Sequence, residues 1–239
     1  MQPARFFSSC RPILALLLSV LVLSGCSQKF QNVSETFRLA VSGEDDSVKP
    51  QSWVDTLPYA SIYARIDEGP RAFMVLALAE TAPRIHAEKA PEALQLKWLA
   101  ADRGMLVTKQ GRLVKTLNLP QGNLVHVESR EPDPVALGLH LSTTPNHWRR
   151  QIDWQPGYHF GYPVISRFED KGLQSITING VTRSARYFIE HVEVPALNQT
   201  FDNAFWIHPE SGVVLMSKQK IAPGLPEIEI QLLKPYGNE

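Results

Sequence analysis

Two apolar periods run along this chain, and the change between them divides it. Over residues 28–41 the apolar positions are Phe30, Val33, Phe37 and Ala40, spaced three, four and three apart. That spacing predicts an amphipathic helix. Gly43 and the acidic run Glu44-Asp45-Asp46 end it. Residues 50–58 read as a short connector with one helical turn around Trp53. From Tyr59 the period becomes two, the signature of strands.

Residues 59–66 alternate, with Ile62 and Ala64 on one side and Tyr63 and Arg65 on the other. Asp67-Glu68-Gly69-Pro70 turns the chain into an apolar run over 72–79, which predicts a strand buried on both faces. Residues 81–92, with Pro83 and Pro91, read as a loop. Strands over 96–100, 105–108 and 113–119 follow, separated by Asp102-Arg103-Gly104 and Gln110-Gly111-Arg112. Each separator carries a Gly where a tight hairpin needs positive φ. Pro120-Gln121-Gly122-Asn123 turns into a strand over 124–128. Glu131-Pro132-Asp133-Pro134 breaks the pattern, and the stretch to Asn146 reads as a loop with a short helix, a candidate subdomain boundary or mobile flap.

Strand-like runs resume at 149–154 and continue at 158–168, 173–178, 181–194, 204–207, 213–220 and 227–233. Asn179-Gly180 is the strongest turn signal in the chain and predicts a type I′ hairpin. About eleven strands joined mostly by short turns make the fold class mainly β. The expected architecture is a large antiparallel meander forming a curved, partly closed barrel or sandwich, with an N-terminal helix before it.

The segment ahead of the helix reads differently. Residues 1–11 carry Arg5 and Arg11 and no acid, and 13–23 are apolar apart from Ser19. This is a charged region followed by an apolar one of ~7–15 residues, as in a secretory signal. The run is too short for a spanning helix, which needs ~20 apolar residues. It closes on Leu23-Ser24-Gly25-Cys26, the lipobox pattern of an aliphatic residue, two small residues and cysteine. Diacylglycerol joins the Cys26 thiol, and a peptidase cuts between Gly25 and Cys26. The freed amine then takes a further acyl chain. At ~0.8 kcal/mol per buried CH₂, one chain holds weakly, while two or three hold effectively permanently. Ser27, where an Asp retains enteric-type lipoproteins in the inner membrane, points to the outer membrane. The expected organisation is a signal peptide over 1–25, anchor and helix over 26–50, and a β-rich periplasmic domain over 51–239.

Composition narrows the function classes. Removing residues 1–25 takes two arginines from the 24 basic residues and leaves 22 against 24 acidic ones. That balance gives no reason to expect a nucleic-acid partner. The two cysteines are Cys10, inside the signal, and Cys26, consumed by lipid. The mature chain therefore has no disulfide, and its core alone must hold it.

Few residues suggest chemistry. The seven histidines form no HExxH and no i, i+4 pair, so no metal is expected. His126-Val127-Glu128 and His191-Val192-Glu193 each place a His and a Glu on one strand face, and they would meet only if their strands were neighbours. Ser211 lies in a turn without a nucleophile elbow. Asp153 and Asp202 are first candidates for a glycosidase-like acid pair, which needs two carboxyls ~5–9.5 Å apart. For glycan contact the stretch Trp148-Arg149-Arg150-Gln151-Ile152-Asp153-Trp154 concentrates aromatic faces and planar donors, nominating Trp148, Arg149 and Trp154. Strand alternation places Trp148, Arg150, Ile152 and Trp154 on one face and Arg149, Gln151 and Asp153 on the other; the bland alternative is that both Trp are core. Trp98 and Trp206 read as core. Arg183 and Arg186 are cations for an acidic polysaccharide, or partners of Glu190, Glu193 or neighbouring acids.

Four stretches occur in order: the lipobox, residues 59–78 (YASIYARIDEGPRAFMVLAL), residues 106–124 (LVTKQGRLVKTLNLPQGNL) and residues 205–224 (FWIHPESGVVLMSKQKIAPG). Together they resemble the YjbF/GfcB-type lipoproteins found with exopolysaccharide and capsule export genes. The resemblance covers nearly the whole mature chain. It implies a lipid-anchored outer-membrane protein facing the periplasm, a non-enzymatic accessory factor in polysaccharide secretion or assembly. Its implied partners are an outer-membrane barrel protein or other products of the same operon, and the polysaccharide. It brings no catalytic residues and no cofactor beyond the lipid on Cys26. Two other classes stay open: a periplasmic carrier or chaperone whose curved sheet holds a lipid or glycan, and a glycan-modifying enzyme.

Overall fold

A computed structural model of the chain describes residues 46–81 and 94–237. Cys26, its neighbours Gly25 and Ser27, and the helix expected over 28–41 lie outside the described residues. Those described belong to one compact unit, Ser42–Glu239.

The unit is a single antiparallel sheet of twelve strands. In chain order they are β1 (Ser61–Ile66), β2 (Arg71–Thr81), β3 (Leu94–Leu99), β4 (Met105–Lys109), β5 (Arg112–Leu117), β6 (Asn123–Glu128), β7 (His147–Gln155), β8 (His159–Ile178), β9 (Val181–Val194), β10 (Gln199–Ile207), β11 (Val214–Lys220) and β12 (Glu227–Lys234). Among the described residues two short α-helices accompany them, α1 (Gln51–Thr56) and α2 (Pro134–Leu137), with a 3-10 turn at Pro195–Leu197. The hydrogen-bonded order runs β5-β4-β3-β2-β1-β12-β11-β10-β9-β8-β7-β6. Each strand thus lies beside its sequence neighbour, except that β1 pairs with β12 and β5 ends the order opposite β6. The result is a nearly closed barrel, as the meander predicted, and the expected strands over 158–168 and 173–178 are one strand, β8, with a bulge between Asp170 and Leu173.

The period of two does its expected work. Along β7 the burial alternates strictly, with Trp148, Arg150, Ile152 and Trp154 inward. Ile62 and Ala64 of β1 are buried in the interior core with Trp98, Leu106, Ile152, Val192 and Ile228. A second cluster lies on the other face of β1 and β2. There Tyr63 and Phe73 pack with Val54 and Leu57 beside α1 and with Ile176, Ile178 and Ala185 from the far part of the β8–β9 hairpin. This covering explains why β2 is buried on both faces at Phe73 and Met74. It does not extend along the strand: Leu78 is exposed, so the expectation of a wholly buried β2 is corrected.

Turn chemistry follows the sequence with one exception. Asn179 and Gly180 both have positive φ, 50° and 79°, and so do Gln110 and Gly111, 51° and 86°. In the β3–β4 turn the residue with positive φ is Arg103, at 69°, and not Gly104. Asp102 makes this possible locally, its Oδ1 accepting the Gly104 N–H at 2.9 Å. The break after β6 forms α2, capped by Asp133, whose carboxylate accepts the Val135 N–H at 3.0 Å. Val135 and Leu139 are buried against Phe168, Phe188 and Phe205, which ties this stretch to the barrel.

The free edges of β5 and β6 are joined by side chains. At one end Thr116 Oγ1 accepts the Leu124 N–H at 3.0 Å, and Asn123 Oδ1 accepts the Leu119 N–H at 3.2 Å. At the other, Arg112 of β5 pairs with Asp133, just beyond β6. An unpaired strand edge is a liability that proteins cover or bind; here it is closed from within.

Candidate functional site

The barrel interior holds a network of charges where alternation leads one to expect only apolar groups. On β9 the inward residues are Phe188, Glu190, Val192 and Val194, so a carboxylate sits in an apolar row. Glu190 is wholly buried. Its Oε2 accepts from Arg112 Nη1 at 2.6 Å and from Asn203 Nδ2 at 2.9 Å, and its Oε1 accepts from Arg150 Nη1 at 3.1 Å. Arg112 also forms a two-pronged pair with Asp133, Nε to Oδ2 at 2.8 Å and Nη2 to Oδ1 at 3.1 Å. Arg150 donates to Ser166 Oγ at 2.6 Å. Asn203 Oδ1 accepts the Lys220 N–H at 2.8 Å. Two guanidiniums and two carboxylates balance to zero charge.

The titration of these groups follows from that balance. Burial alone would raise the Glu190 pKa, but Arg112 and Arg150 bring it down to about 2. Burial works against a charged Arg112 too, and Asp133 with Glu190 outweigh it and hold the guanidinium above its usual value. Arg150 has only a share of one carboxylate; burial and the like charge of Arg112 leave its pKa lowered. Aromatic faces complete the enclosure. The Arg112 and Arg150 guanidinium carbons lie 4.9 and 4.5 Å from the Trp148 ring centroid, and Phe205 is 5.0 Å from Arg112. Every acid here is committed to a base, so the network fastens strands together and offers no spare proton acceptor.

The nominated glycan residues are distributed by the same geometry. Trp148 and Trp154 are 4% and 2% exposed. The Trp148 indole N–H donates to Ser129 Oγ and the Glu131 carbonyl. Trp154 stacks on His159 at 4.2 Å and meets Tyr162 edge-on at 4.8 Å. Arg149 is exposed on the opposite face of β7. A sugar on the outer surface therefore meets Arg149 and neither indole, and the three do not make one contact surface. Trp98 is interior, its N–H on Thr108 Oγ1 at 2.8 Å. Trp206 is half-buried, stacked on Tyr187 at 4.7 Å and packed against the second cluster, so it lies at the margin of that core and not in the barrel interior.

The acid candidates stand apart. Asp153 of β7 accepts the Gly161 N–H at 2.6 Å, and Asp202 of β10 holds His191. With β8 and β9 between their strands, and Asp202 in register with His191, Arg167 and His147, six residues along β7 from Asp153, they are too far apart for glycosidic cleavage by an acid pair. His191 sits between Asp202 (Nδ1 to Oδ1, 2.8 Å) and Glu169 (Nε2 to Oε2, 3.1 Å), and those hydrogen bonds, Glu169 first, hold its pKa above the usual value. His126 lies on β6 and His191 on β9, so the two His-Glu pairs do not meet. Among the described residues no group of His, Cys, Asp and Glu is arranged to hold a metal ion. Arg186 pairs with Asp170 and donates to the His140 carbonyl, not to Glu190 or Glu193.

At the end of the barrel bearing the 110–111 turn, a cavity of about 490 Å³ opens between inward faces. Its walls include Ile62, Leu96, Trp98, Ile230 and Leu232, with Thr108, Gln110, Arg183, His208, Ser211 and Ser217 as polar points.

Known proteins share this architecture. The sequence model of the family described as "Group 4 capsule polysaccharide lipoprotein gfcB, YjbF" matches residues 34–233. The uncharacterized lipoprotein GfcB of Escherichia coli (strain K12) is 31% identical over 226 residues, 94% of this chain and 99% of that protein. The uncharacterized lipoprotein YjbF of the same organism is 28% identical over 221 residues, 92% of this chain and 96% of its own. The crystal structure of the hypothetical lipoprotein YmcC from Escherichia coli (K12) superposes with a TM-score of 0.65 at 31% identity, covering 79% of this chain and 90% of that one. The chain belongs to the YjbF family of group 4 capsule polysaccharide lipoproteins.

Proposed function

We propose that this protein is a non-enzymatic accessory factor in the secretion or assembly of a capsule or exopolysaccharide. The observation that carries the reading is the family match over 34–233, which takes in β1 to β11 and nearly all of β12. Lipid on Cys26 holds the protein at the inner leaflet of the outer membrane, a placement supported by the lipobox and by Ser27. The barrel faces the periplasm and binds an outer-membrane barrel protein of the same export system, the nascent polysaccharide, or both. The mutual neutralisation of Arg112, Arg150, Asp133 and Glu190 supports a scaffold over a catalyst.

The test compares the wild-type protein with Cys26→Ala in cells that export the polysaccharide. The wild-type protein should fractionate with the outer membrane and co-purify with a barrel protein after detergent extraction. The variant should be folded, released and unable to support export. Inner-membrane fractionation of the wild type, or full export by the released form, would overturn the reading.

A further inference from the structure

The cavity at the 110–111 end is lined mainly by apolar side chains. Ile62, Leu96, Trp98, Ile230 and Leu232 form much of its wall. Of the lining side chains that reach solvent, Leu94 (39% exposed), Val213 (43%) and Tyr236 (50%) are apolar, and Gln110 and Ser211 are polar. Such a wall rewards an alkyl chain, because moving methylenes out of water is favourable. The size agrees. Taking a methylene as about as large as a water molecule, ~30 Å³, the 490 Å³ of the cavity has room for a long alkyl chain.

Arg183 supplies a head-group contact. It is half-buried and lines both this cavity and the adjoining depression formed with Ser184, His208, Pro209, Glu210 and Leu215. The other arginines withdrawn from solvent are all paired with a carboxylate: Arg65 and Arg71 with Asp46, Arg112 and Arg150 with Glu190, and Arg186 with Asp170. Among the described residues, Arg183 alone of the half-buried and buried arginines has no carboxylate partner. A guanidinium matches a carboxylate or phosphate in two-pronged geometry. We propose that this cavity binds one alkyl chain of an anionic single-chain amphiphile, with the anionic head on Arg183. The site is separate from the charge network, and its failure leaves the export role untouched.

The test uses the full-length lipidated protein in phosphatidylcholine nanodiscs and a photoactivatable palmitate carrying a diazirine near its chain end. The expected cross-links fall on peptides containing residues 94–99 and 228–236. Unlabelled palmitate should compete about tenfold better than hexadecanol, which has the same chain and no charge, and Arg183→Gln should remove that difference. Competition by lysophosphatidylglycerol as strong as by palmitate would support the site and name a phospholipid-derived ligand; weaker competition would support it and name the fatty acid. Leu96→Trp and Leu232→Trp fill the cavity and should abolish labelling while the circular dichroism spectrum is kept. Labelling confined to peptides that do not line the cavity, or unchanged labelling in a folded filling variant, would overturn the proposal. If both filling variants fail to fold, the rim change still decides. Equal competition by palmitate and hexadecanol on the wild type, or no effect of Arg183→Gln, would then sink the idea.

Discussion

Arg112 and Glu190 stand 78 residues apart in the chain, and their side chains meet at 2.6 Å inside the barrel. Arg112 opens β5, and Glu190 lies on β9, so the contact crosses the interior and does not follow the ladder. With Asp133 on the same guanidinium, it holds the seam between β5 and β6 to the far wall.

Removing one member of this network should cost more than removing two of opposite sign. Glu190→Gln keeps the shape but leaves two buried guanidiniums facing one carboxylate. A loss of ~3–5 kcal/mol is expected, the scale for an uncompensated buried charge. Arg150→Met combined with Glu190→Gln restores neutrality and should recover part of that loss. Urea denaturation of both variants is the measurement; additive or greater loss in the double variant would refute the account.

Acid should weaken the fold through the same carboxylate. Glu190 titrates at about 2 when folded, against an ordinary value of 4.5. A depressed folded pKa means the contribution is complete above about 4.5 and lost as pH falls towards about 2. Asp46, Glu169 and Asp170 are shifted in the same direction. His191 has the opposite sign, because its raised pKa favours the folded state below the usual histidine value and ceases to do so as pH rises through the folded one. Thermal midpoints from pH 2 to 5 should fall more steeply for the wild type than for Glu190→Gln. Parallel curves would contradict the assignment.

Gly111 is fixed by space as well as by φ. A Cβ there would lie 2.5 Å from Val214 Cβ, with φ at +86°. Gly111→Ala should therefore destabilise by roughly 1–3 kcal/mol, the scale of overpacking. Val214→Ala in the same chain should return some of that, since the clash is with its side chain. Absence of any rescue in melting temperature would place the whole effect in the backbone.

Substitutions along β7 separate folding from recognition. Trp154→Ala empties a core position and should cost ~3–5 kcal/mol. Arg149→Ala, on the outer face, should change stability by no more than ~0.5 kcal/mol. Loss of export in Arg149→Ala at wild-type melting temperature would mark a surface contact; loss in Trp154→Ala would report only unfolding.

Strand periodicity and turn chemistry carried most of the fold, because both are local. The inward face of β7 was legible as Trp148, Arg150, Ile152 and Trp154, and its burial is what two Trp on one face favour. Glu190 carried a signal too: a carboxylate in the row Phe188, Val192, Val194 marks a buried acid needing a base. Arg112 carried none, since a residue beside a Gly turn reads as hairpin chemistry, and its partners come from β9 and the stretch after β6. The cavity was illegible for a similar reason. Its walls are ordinary apolar strand positions, and only barrel closure leaves space between them.

The pairing of β1 with β12 sets an order of events for a chain that emerges from its N-terminus. Asp67 and Glu227, 160 residues apart, clasp each other at the turn beside this pair, the Glu227 N–H donating to Asp67 Oδ1 and the Asp67 N–H to the Glu227 carbonyl. The strand made first must keep one edge unpaired until the strand made last arrives. Over that interval β1 and β2 form a hairpin with an open side, and such hairpins are marginal alone and prone to pair with other chains. Long-range closure of this kind also slows folding. The protein therefore passes through a stage in which the β1 edge of its sheet needs shelter, and truncation at the C-terminus should leave that edge permanently exposed.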